Sequence, residues 1–400
     1  MKIAIVTSFR SMPESYSLVN DVRDRIRTLV RYGHEVVFFA QEGCKGDGIV
    51  CPMRAVLPRV KLRKDEVNEE GVKLISEILI KELKDFNLVF TDDLLFIRQY
   101  VTYREAIFIV GKALPDIKWA HWIHSRVGEM LNLKMPNAKY IFMNHIGVEE
   151  VAKHCGVEED DVHVIFNDKD PRIFFEFSDI TKQLIDKYDL LNYEIMQVYP
   201  ICTTRMGAKG VEKVINVFSE LKKKGRKVKL VFANSNGRKD IHIEAVKKEL
   251  EYAKNLGLEP DEDVIFTSRL DVETQSGVPR QVIQELMRLA NLFVFPSQSE
   301  VCSNVLLEAS MSKTLMVLNE DFPPMFDFST ENSVLKFPFG SMLRHRFMGN
   351  TDTLKPLVDE ILENLDNSKS NQQFLYIKDA CNVDSLYKNM YKPLLEWANK

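Results

Sequence analysis

Two glutamates eight positions apart, Glu300 and Glu308, flank a small polar pair, Ser303-Asn304, in the run F-V-F-P-S-Q-S-E-V-C-S-N-V-L-L-E-A-S. The apolar residues Leu292 to Phe295 read as a buried strand that ends at Pro296 and opens through Ser297 to Ser299 into a helix starting near Asn304. Free backbone N–H groups at such a start favour a phosphate-like anion, and carboxylates two turns apart can face one ligand. One end of the segment suits an anion and the other suits hydroxyls. The same spacing also fits an ordinary amphipathic helix with solvated or capping glutamates.

A second cluster, C-T-T-R-M-G-A-K-G, sets Arg205 and Lys209 four apart beside Gly207 and Gly210, just ahead of a helix. Glycines let the backbone approach a ligand closely, and a helix start favours an anion. A guanidinium and an ammonium together can neutralise a departing diphosphate, each charge-assisted contact contributing about 1.5–3 kcal/mol. Read alone, the loop is an exposed basic turn. His124 ends the strand W-A-H-W-I-H-S-R on the face opposite His121, where a strand's C-terminal end meets a crevice; a lone histidine also fits a structural role. Asp92-Asp93 hints at a metal, but adjacent carboxylates at a strand end point opposite ways, which favours solvated or capping roles.

The run from Glu300 to Glu308 resembles the E-x7-E signature of retaining glycosyltransferases of the GT-B architecture, family 4 (glycosyl transferases group 1) in particular. That resemblance implies that Glu300 orients the donor sugar, that the amides around Ser303 and Asn304 meet a nucleotide diphosphate, and that Glu308 binds the ribose. Val301 stands where many members carry glycine. R-M-G-A-K-G resembles the family's arginine-lysine loop, which implies that Arg205 and Lys209 stabilise the leaving diphosphate.

Weaker likenesses run along the chain: R-Y-G-H-E-V at 31–36, V-H-V-I-F-N-D-K-D at 162–170, V-F-A-N-S-N-G at 231–237 and F-T-S-R-L at 266–270. The last two imply that Asn234, Ser268 and Arg269 lie near the nucleobase and diphosphate. Ser8-Phe9-Arg10-Ser11 replaces the family's glycine pair, so Ser8 and its loop imply altered acceptor handling. His124 would touch the donor sugar near its C6 hydroxyl, and Ser125 follows it in place of aspartate, so no general base is assigned. The implied reaction is a metal-independent, retaining transfer of a hexosyl-type sugar from a nucleotide-diphosphate-sugar to a hydroxyl of a glycan, lipid or small molecule.

Those residues need strand ends to hold them. Lys2 to Thr7, a helix from Leu18 to Tyr32, and Glu35 to Ala40 form a strand-helix-strand unit that predicts a right-handed parallel crossover. Strands at 88–91, 119–123, 140–143 and 163–166, with a helix at 70–85, continue it. After a polar, aromatic stretch at 174–192, a second series follows, with strands at 196–201, 229–233, 264–267, 292–295, 315–318 and 333–336 and helices at 211–224 and 242–256. The expected fold is α/β: two doubly wound Rossmann-like domains facing across a cleft, at 1–175 (acceptor side) and 193–380 (nucleotide-sugar side). A last helix over 383–399, within 381–400, would cross back to the first domain.

Four hundred residues at 45% hydrophobic content suffice for two cores, and a net charge of −4 from 54 basic against 58 acidic residues gives no overall footprint for nucleic acid. Residues 1–64 differ, with 12 Lys/Arg against 6 Asp/Glu, an excess of +6. Arg23, Arg25, Arg27, Arg31, Arg54, Arg59, Lys61, Arg63 and Lys64 in that segment admit an alternative acceptor, modified bases in DNA, gripped through phosphates. A third reading is a non-catalytic sugar-nucleotide-binding protein of the same fold. The six cysteines show neither zinc nor disulfide spacing, and there is no signal-peptide pattern and no apolar run near the ~20 residues that span a bilayer, so a cytoplasmic protein is expected.

Overall fold

The computed structural model describes residues 1–61, 63–124, 130–298, 300, 303–330, 332–340 and 353–400. Two compact units divide the chain: Met1–Asp170 with Ala380–Lys400, and Pro171–Asp379. The first holds β1 (Lys2–Val6), α1 (Ser17–Arg31), β2 (Glu35–Gln41), β3 (Met53–Leu57), α2 (Glu69–Leu83), β4 (Leu88–Asp92), α3 (Val101–Ala113), β5 (Lys118–Trp122), β6 (Ala138–Phe142), α4 (Val148–Cys155) and β7 (Val162–Val164). Its strands form one parallel sheet in the order β3-β2-β1-β4-β5-β6-β7. The order reverses between β1 and β4, the switch point of a doubly wound sheet.

Strands covered on both faces read as near-continuous apolar runs, and these do. Ala4, Val6, Val37, Phe39 and Val89 face α2 and α3, while Ile3, Ile5, Phe38, Leu88 and Phe90 face Val19, Val22, Ile26 and Leu29 of α1. The edge strand β3 was not foreseen in the sequence, because M-R-A-V-L is short and only partly buried.

The second unit holds α5 (Pro171–Phe174), α6 (Asp179–Tyr188), β8 (Ile195–Cys202), α7 (Val211–Lys223), β9 (Val228–Ser235), α8 (Asp240–Asn255), β10 (Val264–Phe266), α9 (Arg280–Met287), β11 (Leu292–Phe295), α10 (Asn304–Met311), β12 (Leu315–Asn319), β13 (Leu335–Phe337) and α11 (Lys355–Asn367); α12 (Lys369–Cys381) runs to its end. The polar, aromatic stretch at 174–192 is largely helix α6, which buries Leu184, Ile185 and Tyr188. Two parallel half-sheets, β10-β9-β8 and β11-β12-β13, lie side by side. Gln197, wholly buried on β8, joins them: its Nε2 donates to Val294 O at 2.9 Å and its Oε1 accepts from Val294 N at 2.8 Å. With Asn291 N donating to Met196 O at 3.0 Å, the strands line up as 10-9-8-11-12-13, the same doubly wound order with its switch point between β8 and β11.

The last residues belong to the first unit. Instead of one helix over 383–399, the chain forms α13 (Val383–Leu386), a π turn over Tyr387–Tyr391, and α14 (Lys392–Ala398). Pro393 lacks an N–H and its ring crowds the preceding turn, which accounts for the widened register just ahead of it. Tyr387 stacks on Tyr32 of α1 with centroids 3.6 Å apart, and His163 shares a 2.7 Å hydrogen bond with Met390 O. Tyr391 donates to buried Asp168 at 3.0 Å, whose other oxygen accepts from Thr28.

Candidate active site

Cys202 ends β8, and Thr203–Arg205 turn into the loop that α7 follows. Within that loop the backbone spends its own donors: Lys209 N on Arg205 O at 3.0 Å, Gly210 N on Gly207 O at 3.0 Å and Val211 N on Met206 O at 3.1 Å. Most donors of the anion-binding helix start expected there are therefore taken by the loop itself, and what it presents is mainly side-chain charge. Arg205 is exposed, and its side chain forms no hydrogen bond or ion pair among the described residues. Tyr199, buried on β8, holds the loop from beneath by donating to Lys209 O at 2.8 Å. Gly210 has φ +69°, and a Cβ there would stand 2.8 Å from Pro296, so the loop meets the turn after β11 at a glycine that cannot be replaced without strain.

Across that contact, the Lys209 ammonium touches Glu300 Oε1, and both side chains are nearly buried. Ser297 Oγ donates to the same carboxylate oxygen at 3.1 Å. Burial, then the Arg205 guanidinium nearby, push the Lys209 ammonium below its usual value, while the Glu300 carboxylate works the other way. Ser303 caps α10 by accepting from Leu306 N at 3.4 Å, and Leu307 N bonds Ser303 O, which leaves the amides of Asn304 and Val305 without an acceptor among the described residues. Arg205, Lys209, Glu300, Ser303 and Asn304 thus gather where β8 and β11 end, at the switch point. Ser299, Val301, Cys302 and, in the other unit, Ser125 lie outside the described residues.

The remaining sequence candidates fall elsewhere. Glu308 accepts from Arg280 Nε at 2.8 Å and Nη2 at 2.7 Å. Sequence reading missed Arg280, although a cation in the first turn of a helix is unfavourable without a nearby anion, which is a usable signal. Asn234 is wholly buried with its amide committed: Nδ2 to Thr203 Oγ1 at 3.1 Å and Ser268 Oγ at 3.0 Å, Oδ1 from Ser268 N at 3.1 Å. Asn234 and Ser268 are struts beneath the Thr203–Arg205 turn. Arg269 grips Asp261 with both arms, at 3.0 and 2.7 Å, and is committed there instead of to an open ligand site. Also missed was Asn319, buried at the end of β12, which donates to Ser297 O at 3.2 Å and Gly340 O at 2.8 Å. A polar residue closing the apolar run L-M-V-L-N was its signal.

In the first unit, Ser8 lies half-buried in the loop after β1. His124 is held twice: its Nε2 shares a 2.9 Å hydrogen bond with Asp92 Oδ1, and its backbone N donates to Asp93 Oδ1 at 2.9 Å. Both aspartates are buried, so of the solvated or capping roles expected only the second fits, with Asp93 accepting a backbone N–H. Asp93 takes φ +55° and so swings its carboxylate to the same residue as Asp92, which straight strand alternation does not allow. Arg25 donates to Asp92 at 2.8 Å and lies 3.5 Å from the Trp122 ring, which in turn stacks on His124. Burial opposes the charge on Asp92, but Arg25 and His124 outweigh it and hold the carboxyl below its usual range. His121, on the opposite face, is buried against Thr91, and burial pushes it down to about 3.

The basic N-terminal segment is mostly spent within its own unit. Arg23 donates to Met12 O and Asp47 O, Arg59 to Glu42 O, and Arg25, Arg27, Arg31, Arg54 and Arg63 pair with Asp92, Asp24, Asp384, Glu82 and Glu66. Among the described residues no group of three or more His, Cys, Asp or Glu could hold a metal ion, and no helix is long and apolar enough to cross a membrane.

The family model described as glycosyl transferases group 1 matches residues 198–323. The candidate site lies inside the matched segment. Arg205, Lys209, Asn234, Ser268, Arg269, Glu300, Ser303, Asn304 and Glu308 all fall within it, and Ser8 and His124 outside. No curated protein matches the chain. Among solved structures, Anabaena HepE in complex with UDP is 13% identical, covering 99% of this chain and 100% of that one with a TM-score of 0.36. A glycosyltransferase from Rickettsia africae is 14% identical (100% and 98%, TM-score 0.36), and WaaG, a glycosyltransferase involved in lipopolysaccharide biosynthesis, is 14% identical (99% and 98%, TM-score 0.33).

Proposed function

We propose that this chain moves a sugar from a nucleotide-diphosphate-sugar to a hydroxyl acceptor with retention of configuration and without an essential metal, on a GT-B architecture. The observation that carries the reading is the meeting of Lys209 and Glu300 at the β8/β11 switch point, beside open amides at the start of α10. An anion seated there meets an ammonium, a free guanidinium and two backbone N–H groups, while a carboxylate stands ready for sugar hydroxyls.

In this reading Arg205, Lys209 and the Asn304 and Val305 amides stabilise the diphosphate as negative charge develops on it, the largest single term available to such a site. Glu300 orients the sugar. Glu308 accepts from the ribose once it parts from Arg280, and His124, fixed by Asp92 and Asp93, donates to or accepts from a substrate hydroxyl. A departing phosphate oxygen that takes the acceptor's proton on the same face gives retention without a separate base.

Transfer assays with UDP-, GDP- and ADP-sugars over an acceptor panel test the reading. K209A and R205A are each expected to lower kcat/KM by about 10²–10³ at unchanged fold, the scale of losing one transition-state charge contact. Near-normal transfer in both single variants overturns it.

A further inference from the structure

We infer that in the donor-free protein the Glu300 carboxylate is a stand-in anion: it occupies Lys209 until a diphosphate displaces it, so that donor entry itself releases Glu300 to the sugar. This rests on the reading of the site as a diphosphate site and assigns Glu300 a second, earlier task there.

The geometry has three parts. Lys209 Nζ touches Glu300 Oε1 directly, with both side chains 12–13% exposed, so the pair is largely removed from water and only weakly screened. The same oxygen accepts from Ser297 Oγ at 3.1 Å; Ser297 is buried, and its carbonyl accepts from Asn319 at 3.2 Å, so the carboxylate is gripped from a fixed wall. Arg205, a loop turn away, has no anion of its own among the described residues, so the cluster carries one compensated and one uncompensated cation.

A largely buried ammonium next to a guanidinium is unstable as a bare charge, and burial already pushes Lys209 down. A carboxylate lent by the same unit neutralises it. A diphosphate brings more negative charge than one carboxylate and can engage Arg205 and the Asn304 and Val305 amides at once, so it replaces Glu300 on Lys209. Glu300 then loses its counter-ion close to the start of α10, and its free oxygens seek donors, which sugar hydroxyls supply. The exchange ties readiness of the sugar-orienting carboxylate to the presence of the leaving group.

Calorimetric titration of the full chain with inorganic pyrophosphate reads this directly. E300Q keeps the shape and removes the competing charge, so pyrophosphate is expected to bind about tenfold tighter than to the wild type, the scale of one partly buried ion pair. S297A loosens the grip and is expected to bind tighter by a smaller factor, which provides a second reading should E300Q fold poorly. K209A is expected to bind at least about tenfold more weakly. Binding to E300Q and S297A no tighter than to the wild type, with K209A still weakened, overturns the stand-in role and leaves the clamp intact. Binding to K209A as tight as to the wild type overturns the clamp and this inference together.

Discussion

Arg25 and Asp92 form a fully buried ion pair whose purpose is read from what touches it: Trp122 beneath the guanidinium and His124 on the carboxylate. Removing one member leaves a charge that the interior cannot solvate. D92N is expected to cost about 3–5 kcal/mol in denaturant unfolding, and R25M, which removes the charge but keeps the stem, should be similar because it strands Asp92. A double variant, D92N with R25M, should recover part of that loss. At this scale the sequence showed the residue types proposed to touch substrate more readily than those that hold them. Glu300, Lys209 and Arg205 stand out by charge and spacing. Arg25, Asn319 and Ser297 do not, because a buried arginine on an amphipathic helix or a serine in a turn looks the same whether or not a partner waits in space.

Helix α10 depends on a short list of local choices: a strand stopped by Pro296, a serine at the cap, and eight helical residues after it. S303A removes the side-chain acceptor of Leu306 N and is expected to cost about 1 kcal/mol in thermal unfolding, while weakening transfer more than a surface change of equal cost, because the cap also sets the aim of the open amides. Elements with strong apolar runs were legible for this reason: β1, β2, β8 and β11 fall close to where hydrophobic pattern puts them. Misreadings occurred where tertiary context overrode pattern. Helix α6 was hidden by its polar face, and the split of the last helix by Pro393 required knowing that the chain continues straight through a proline with a π turn. Unit two shows the same limit: no periodicity reveals that Gln197, one residue in an apolar strand, serves as a link between half-sheets.

At the scale of the molecule, the returning C-terminal segment is fastened to the first unit through Asp168. Burial pushes that carboxyl up to about 6 in spite of hydrogen bonds from Thr28 and Tyr391. The unfolded value is about 3.9, so the folded state binds the proton more tightly; stability from this group is full below about pH 4 and is lost as pH rises through about 6, worth up to about 3 kcal/mol. D168N is expected to flatten unfolding free energy across that window and to leave the protein no less stable at neutral pH; an unchanged slope between pH 4 and 6 would mean that another group carries it. Topology at this scale was legible, since strand-helix alternation and two switch points follow from connection rules. The pairing of Asp168 with a tyrosine 223 positions away was not.

Gln197 has a mechanical meaning as well. A ladder of backbone hydrogen bonds welds neighbouring strands along their length, whereas β8 and β11 are joined chiefly through side-chain amides, Gln197 on Val294 and Asn291 on Met196 and Glu194. The ground beneath Lys209 and the ground beneath Glu300 therefore belong to two half-sheets stitched by side chains, and the proposed trade of one anion for another would take place on that seam.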